Sequence, residues 1–269
     1  MLIIDHFNGG FFILLAFTLL FLFGFWFIFR NRSEKTKRIA VAALYTAGFL
    51  FFFLYKYWIS VDEEYSILTA AAGKGAFSWW SELPLHLCNI NLAIVPIAVL
   101  SKNRPLLSFA FFMAPFGAIL AMMSPAVGFA GYSFFVPRMA GYYITHLLVL
   151  ITAPVLAMFG LYRPKFRDIP LTILYMLGLS LIIFGINWLL RLTHLNDFAN
   201  YFYNIEPEQG TPLVFFYKLI PVPFVYMIPI MLLLPVYMGA ATLPFFLVER
   251  AEAKKAAAED EDEEKPAAV

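Results

Sequence analysis

Seven stretches of this chain are long and apolar enough to cross a bilayer, and that constrains its fold more than anything else in it. A crossing needs roughly 20 apolar residues to cover about 30 Å of hydrocarbon. The stretches fall at about 11–29, 38–59, 84–101, 105–124, 139–161, 169–190 and 222–248. Hydrocarbon offers no partner to backbone N–H and C=O groups, so segments of this kind must be helices. The expected fold is all-α, a polytopic bundle of seven transmembrane helices over residues 1–248. Pro115, Pro229 and Pro235 interrupt the fourth and seventh stretches, which neighbouring helices can tolerate by satisfying the freed carbonyls. With 62% apolar and only 14% charged residues, the chain is no ordinary soluble domain, where about 25% of residues are charged. The first stretch has no basic segment before it and no small-residue cleavage site after it. It is expected to be a retained helix and not a signal peptide.

Basic residues give the direction of threading. Arg30, Arg32, Lys35, Lys37 and Arg38 follow the first stretch, Lys102 and Arg104 the third, and Arg163, Lys165 and Arg167 the fifth. The tail adds Arg250, Lys254, Lys255 and Lys265. Lys56, Lys74, Arg138, Arg191 and Lys218 are left on the other side, among acids that include Glu63, Glu64 and Glu82. An outside amino terminus and an inside carboxyl terminus are expected, in the cell (plasma) membrane. Two longer outer segments, near 60–83 and 191–221, are rich in aromatic residues. Such residues favour the headgroup zone, and both segments are expected to lie on the membrane. The tail over 249–269, with Glu259-Asp260-Glu261-Asp262-Glu263-Glu264, has the composition of a disordered cytoplasmic extension.

Against this apolar background a few polar residues gather at one depth. Cys88, the only cysteine, sits near the outer start of the third stretch. His146 is at a similar depth in the fifth stretch, and Asn187 near the outer end of the sixth, with Arg191 and His194 beyond it. Polar groups at membrane depth are costly, so their convergence points to a shared site. Within a helix His86 and Cys88 would face apart, while Cys88 and Asn91 share a face. The general base for a Cys88 thiol is then His146, from another helix. Imidazole takes the proton and the thiolate attacks an ester or thioester carbonyl. The beginning of a helix just after Pro84 would favour that thiolate. Asn187, His86 or Asn91 would hold the oxyanion or position the substrate, and Arg191 would meet a lipid phosphate. Each residue also has a plainer reading. Cys88 can be a small core residue, His146 and Asn187 ties between helices, and Arg191 a snorkelling cation. His6 and His194 are read as exposed. A metal site from His86, Cys88 and His146 lacks a fourth ligand, so neither a metal nor another cofactor is expected. Phosphate-cradling glycine loops and nucleic-acid signatures are absent.

The run Leu83-Pro84-Leu85-His86-Leu87-Cys88, with His146 midway along a later span, resembles the bacterial YwaF-like integral membrane proteins. Arg163-Pro164, Asn187 and Asn200-Tyr201-Phe202-Tyr203 followed by Pro207 strengthen the likeness. That group is similar to the eukaryotic transmembrane protein 164 family, and the resemblance covers most of residues 15–245. It implies a multi-helix membrane protein with an acyl-transfer centre whose Cys and His roles fall on Cys88 and His146. It also implies a membrane phospholipid or other lipid ester as substrate, with the activity of an acyltransferase or acyl hydrolase. Ala199 stands where the family more often has Thr, and Asn89 where it has Ser. The rival expectation is a transporter, receptor or assembly factor whose polar cluster lines a ligand pocket. Missing inverted repeats argue against transport.

Overall fold

The computed structural model describes residues 2–5, 7–62, 77–123 and 131–263. His6, Glu63, Glu64, Lys74, most of the segment 60–83 and the tail's last residues, 264–269, lie outside the described residues. The apolar stretches do form helices. They are α1 (Gly9–Phe29), α2 (Glu34–Ser60), α3 (Leu87–Ser101), α4 (Arg104–Met123), α5 (Pro137–Leu150), α6 (Thr152–Met158), α7 (Ile169–Leu192), α8 (Leu213–Leu219) and α9 (Ile228–Glu263). A two-residue strand β1 (Ile3–Ile4) pairs antiparallel with β2 (Tyr132–Ser133). Side-chain caps start the first two helices: Asn8 Oδ1 accepts the Phe11 N–H (2.9 Å) and Ser33 Oγ the Thr36 N–H (3.2 Å).

Six helical stretches are long and apolar enough to cross a membrane, counting Pro137–Met158 as one. α5 and α6 meet at Ile151, because Pro154 has no N–H to bond the carbonyl of Leu150 and its ring crowds that carbonyl. The third expected span is shorter than its sequence suggests. Pro84 and Leu85 stay outside the helix and His86 is extended, so α3 begins at Leu87 and has 15 residues. At about 1.5 Å per residue that is roughly 22 Å, short of a full crossing. The last helix is longer than its apolar stretch. It runs past Val248 to Glu263, into the segment expected to be a cytoplasmic tail. Alanine, lysine and glutamate, which dominate residues 251–259, are strong helix formers, and Lys255 and Glu259 pair one turn apart (3.7 Å).

α4 occupies the centre, with every residue from Leu107 to Pro115 buried, and it packs on α3, α5, α6 and α7. α1, α7 and α9 instead leave large apolar side chains exposed, among them Phe17, Leu20, Ile182, Leu232 and Val236. So many exposed apolar side chains on these helices fit lipid and not water.

The connections that carry the basic residues meet at one end of the bundle. Arg38 donates to Glu34 (2.8 Å) and to the Val99 carbonyl (2.9 Å), and Lys102 pairs with Glu34 (3.3 Å). Arg104 donates to both oxygens of Asp168 (2.9 and 2.6 Å), which also accepts from the Tyr162 hydroxyl and the Lys165 N–H. Lys165 reaches Glu249 (3.0 Å). The long helices that start or end there therefore alternate in direction along the bundle.

At the opposite end, the segment after α7 does not simply lie on the surface as expected. Ala199, Tyr201, Phe202, Asn204 and Ile205 are buried in the bundle. α8, by contrast, keeps no buried residue and exposes Phe215 and Leu219 as a membrane-lying element would. The inward turn exists because polar groups of the segment have partners inside, chiefly Asn187.

Candidate functional site

Glycines set the spacing of the helices that build the site. A methyl at Gly141 of α5 would run into the Tyr55 ring of α2. One at Gly48 of α2 would strike Leu148 of α5 and stand 3.3 Å from Leu92 of α3. These three helices thus touch at Gly48, which gives a common level. Cys88 is four residues and His146 two residues back from that level, toward the start of helices that run the same way. At about 1.5 Å per residue the two lie within about 3 Å of equal depth.

Cys88 is 6% exposed and is the second residue of α3. The first bond in that helix is from the Ile90 N–H to the His86 carbonyl (3.0 Å). His86, at the N-cap, makes no side-chain capping bond. The N–H groups of Leu87, Cys88 and Asn89 therefore form an uncapped helix terminus beside the thiol, which favours negative charge. Gly117 of α4 packs on the other side, where a methyl would stand in van der Waals contact with the sulfur (3.4 Å).

His146 is fixed by its own helix. Its Nδ1 is 2.7 Å from the Tyr142 carbonyl, and a carbonyl only accepts, so Nδ1 carries the proton and Nε2 the lone pair. The Tyr142 ring lies against the imidazole, with centroids 4.2 Å apart. Tyr142 is also an electrostatic neighbour of Cys88, and so are Tyr55 and Tyr203. Cys88 and His146 thus have Tyr142 in common, the imidazole by contact and the thiol by its charge alone. Among the described residues no hydrogen bond links them directly.

His86 packs edge-on against Tyr201 (5.3 Å) and tilted against Tyr203 (5.2 Å). It is close enough to His146 to sense its charge. Asn91 lies on the Cys88 face, wholly buried; its Nδ2 donates to the Leu87 carbonyl (2.8 Å), and its Oδ1 has no hydrogen-bond partner among the described residues.

Asn187 and Arg191 are engaged by the chain itself. Asn187 Nδ2 donates to the Tyr201 carbonyl and to Asn204 Oδ1 (both 2.8 Å), and its Oδ1 accepts the Tyr201 N–H (2.9 Å). Both amide protons are in use, so the oxyanion expected there would find none. Arg191 donates to the Ala199 carbonyl (2.8 Å) and pairs with Glu206 (2.9 Å), where a lipid phosphate was expected. The two residues anchor the segment that carries Tyr201 and Tyr203. His194 is exposed and pairs with Asp197 (2.8 Å).

That segment is strained where it meets the site. Phe202 and Tyr203 both have positive φ, 62° and 53°, a costly conformation for large side chains that persists only where the surroundings impose it. Tyr201 helps impose it by donating to the Trp80 carbonyl (2.7 Å) while accepting the Leu83 N–H (3.1 Å).

Several neighbours of the site escape a reading of the sequence. Lys56 forms an ion pair with Glu82, both mostly buried, and its ammonium sits over the Phe52 and Tyr55 rings. A signal for it exists, since a lysine inside the second apolar stretch is itself a reason to suspect a site. Tyr55, Tyr142 and Tyr203 give none, because aromatic residues are plentiful throughout the chain. No group of three or more metal-ligating side chains comes together among the described residues.

The family model described as the TMEM164 family matches residues 4–240, and the chain belongs to that family. No curated protein and no solved structure matches.

Proposed function

We propose that this multi-pass membrane protein of the TMEM164 family transfers or hydrolyses the acyl chains of lipid esters, with Cys88 as nucleophile and His146 as base. The observation that carries the reading is the pinned imidazole. With Nδ1 tied to the Tyr142 carbonyl, Nε2 is the only nitrogen able to take a proton. His146 Nε2 removes the Cys88 proton as sulfur bonds the acyl carbon and the carbonyl electrons move to oxygen. The uncapped N–H groups at the start of α3 stabilise that oxygen. The tetrahedral adduct then collapses, its C–O bond breaks, and the departing lyso-lipid oxygen takes the proton from His146. A hydroxyl acceptor or water repeats the sequence on the thioester. The buried Asn91 Oδ1 offers an acceptor for that hydroxyl. No cofactor is required.

The substrate of this reading is a membrane phospholipid or a similar ester, reached sideways from the bilayer. The basic end faces the cytoplasm by the charge rule, which puts the site in the outer leaflet of the cell membrane. The short α3, with Cys88 in its first turn, would then start on the outer side. The test is turnover of a phospholipid with a labelled acyl chain by protein in liposomes. Native protein is expected to release or transfer label, and Cys88→Ala and His146→Ala to do neither; label moved equally by all three rejects the reading.

A non-enzymatic ligand-binding or transport role is the second reading. The buried Lys56–Glu82 pair beside two histidines favours it, since ionisable groups at that depth also line ligand pathways. Binding without turnover, weakened by Lys56→Gln and indifferent to Cys88→Ala, would establish it.

A further inference from the structure

The strained turn at Phe202-Tyr203 brings one hydroxyl to the site that nothing else in the fold uses. Tyr203 is largely buried, its ring rests on His86 (5.2 Å), the N-cap residue of the helix that carries Cys88, and its phenol feels the charge of Glu208 first and of Cys88 second. Among the described residues its hydroxyl has no hydrogen-bond partner. The other phenols nearby are committed elsewhere: Tyr142 donates to the Ala121 carbonyl (2.7 Å), Tyr201 donates to the Trp80 carbonyl (2.7 Å), and Tyr55 is hydrogen-bonded to Lys56. Burial pushes the Tyr203 phenol up from its ordinary value, so it keeps its proton and serves as a donor. Asn91, with a buried and unpartnered Oδ1 on the Cys88 face, independently marks this space as built for a polar ligand.

We infer that Tyr203 is the side-chain oxyanion donor of the Cys88 centre, in the place the sequence assigns to Asn187. This rests on the acyl-transfer reading above. When Cys88 attacks an ester carbonyl, the Tyr203 O–H donates a hydrogen bond to the oxygen as it becomes negative and keeps its proton throughout. The bond-making and bond-breaking steps are unchanged. The inference also explains the strain, because the left-handed turn is what aims the phenol back at the start of α3. Asn187 then acts at one remove, as a positioning residue that clamps the Tyr201 backbone on both sides.

The test uses full-length protein in micelles and two reactions of the same sulfur. Cleavage of 4-methylumbelliferyl heptanoate passes through an oxyanion; alkylation of Cys88 by a maleimide does not. Tyr203→Phe keeps the ring on His86 and removes only the hydroxyl. It is expected to slow ester cleavage by about 10²-fold, the effect of one lost donor, with alkylation within about twofold of native. Tyr203→Leu, which also removes the ring, should slow ester cleavage at least as much. Unchanged ester cleavage in Tyr203→Phe overturns the inference, and so does equal slowing of both reactions, which would mark Tyr203 as merely structural. Native protein that cleaves the ester no faster than Cys88→Ala would instead defeat the acyl-transfer reading on which the inference depends.

Discussion

The two ends of the bundle contain similar polar chemistry put to opposite use. At the basic end, Arg104, Asp168, Tyr162 and Lys165 form a network in which the Asp168 carboxylate receives four hydrogen bonds. Arg38 ties α2 to the end of α3 there. At the other end, the start of α3 is uncapped, Asn91 Oδ1 is buried without a partner, and two large residues take left-handed backbone angles. Leaving a buried polar group unsatisfied costs about 1–3 kcal/mol, and a fold that satisfies one end so thoroughly has no structural need to leave the other open. On the proposed function, the difference separates a clasp from a site.

Substitutions at each end should therefore part stability from activity. The largest effect is expected for His146→Ala, with labelled-lipid turnover falling by about 10²–10⁴-fold while the thermal midpoint in detergent hardly moves. Next, of similar size to Asn187→Ala, is Gly141→Ala, whose methyl would drive α5 away from Tyr55. Overpacking of that kind costs about 1–3 kcal/mol and should lower both the midpoint and turnover. Asn187→Ala removes three hydrogen bonds. At about 0.5–1.5 kcal/mol each, the loss should be visible as a lower midpoint, with reduced turnover as Tyr203 is released. Asp168→Asn at the basic end is the contrast: a lowered midpoint with per-molecule turnover of the folded fraction unchanged. Smallest is Lys102→Gln, because its pair with Glu34 is exposed on both sides and such pairs contribute about 0–1 kcal/mol. A large turnover defect in Asp168→Asn, or none in Asn187→Ala, would erase the distinction between the ends.

The helical bundle is legible in the sequence because lipid leaves an apolar run only one way to satisfy its backbone. Its ends are less so. Whether Pro84 starts a helix or precedes it depends on Tyr201 holding the Leu83 N–H, a contact between segments far apart in the chain. The depth of Cys88 and His146 can be counted along their helices. What surrounds them cannot, since it depends on Gly48 and Gly141 admitting α3 and α5 to the face of α2. Asn187 stands out in the sequence as a costly polar residue. Its partners lie in a segment whose aromatic composition suggests the membrane surface, and only the inward fold of Tyr201 to Asn204 reveals its task.

The central claim is that Cys88 carries an acyl group made possible by His146. It is tested most directly by mixing native protein with a phospholipid bearing a labelled acyl chain, quenching in acid, and seeking the peptide around Cys88 by mass spectrometry. A thioester on Cys88 is expected to form in native protein and to be lost in His146→Ala. A Cys88 that stays unmodified during active turnover, or is acylated equally without His146, would contradict it.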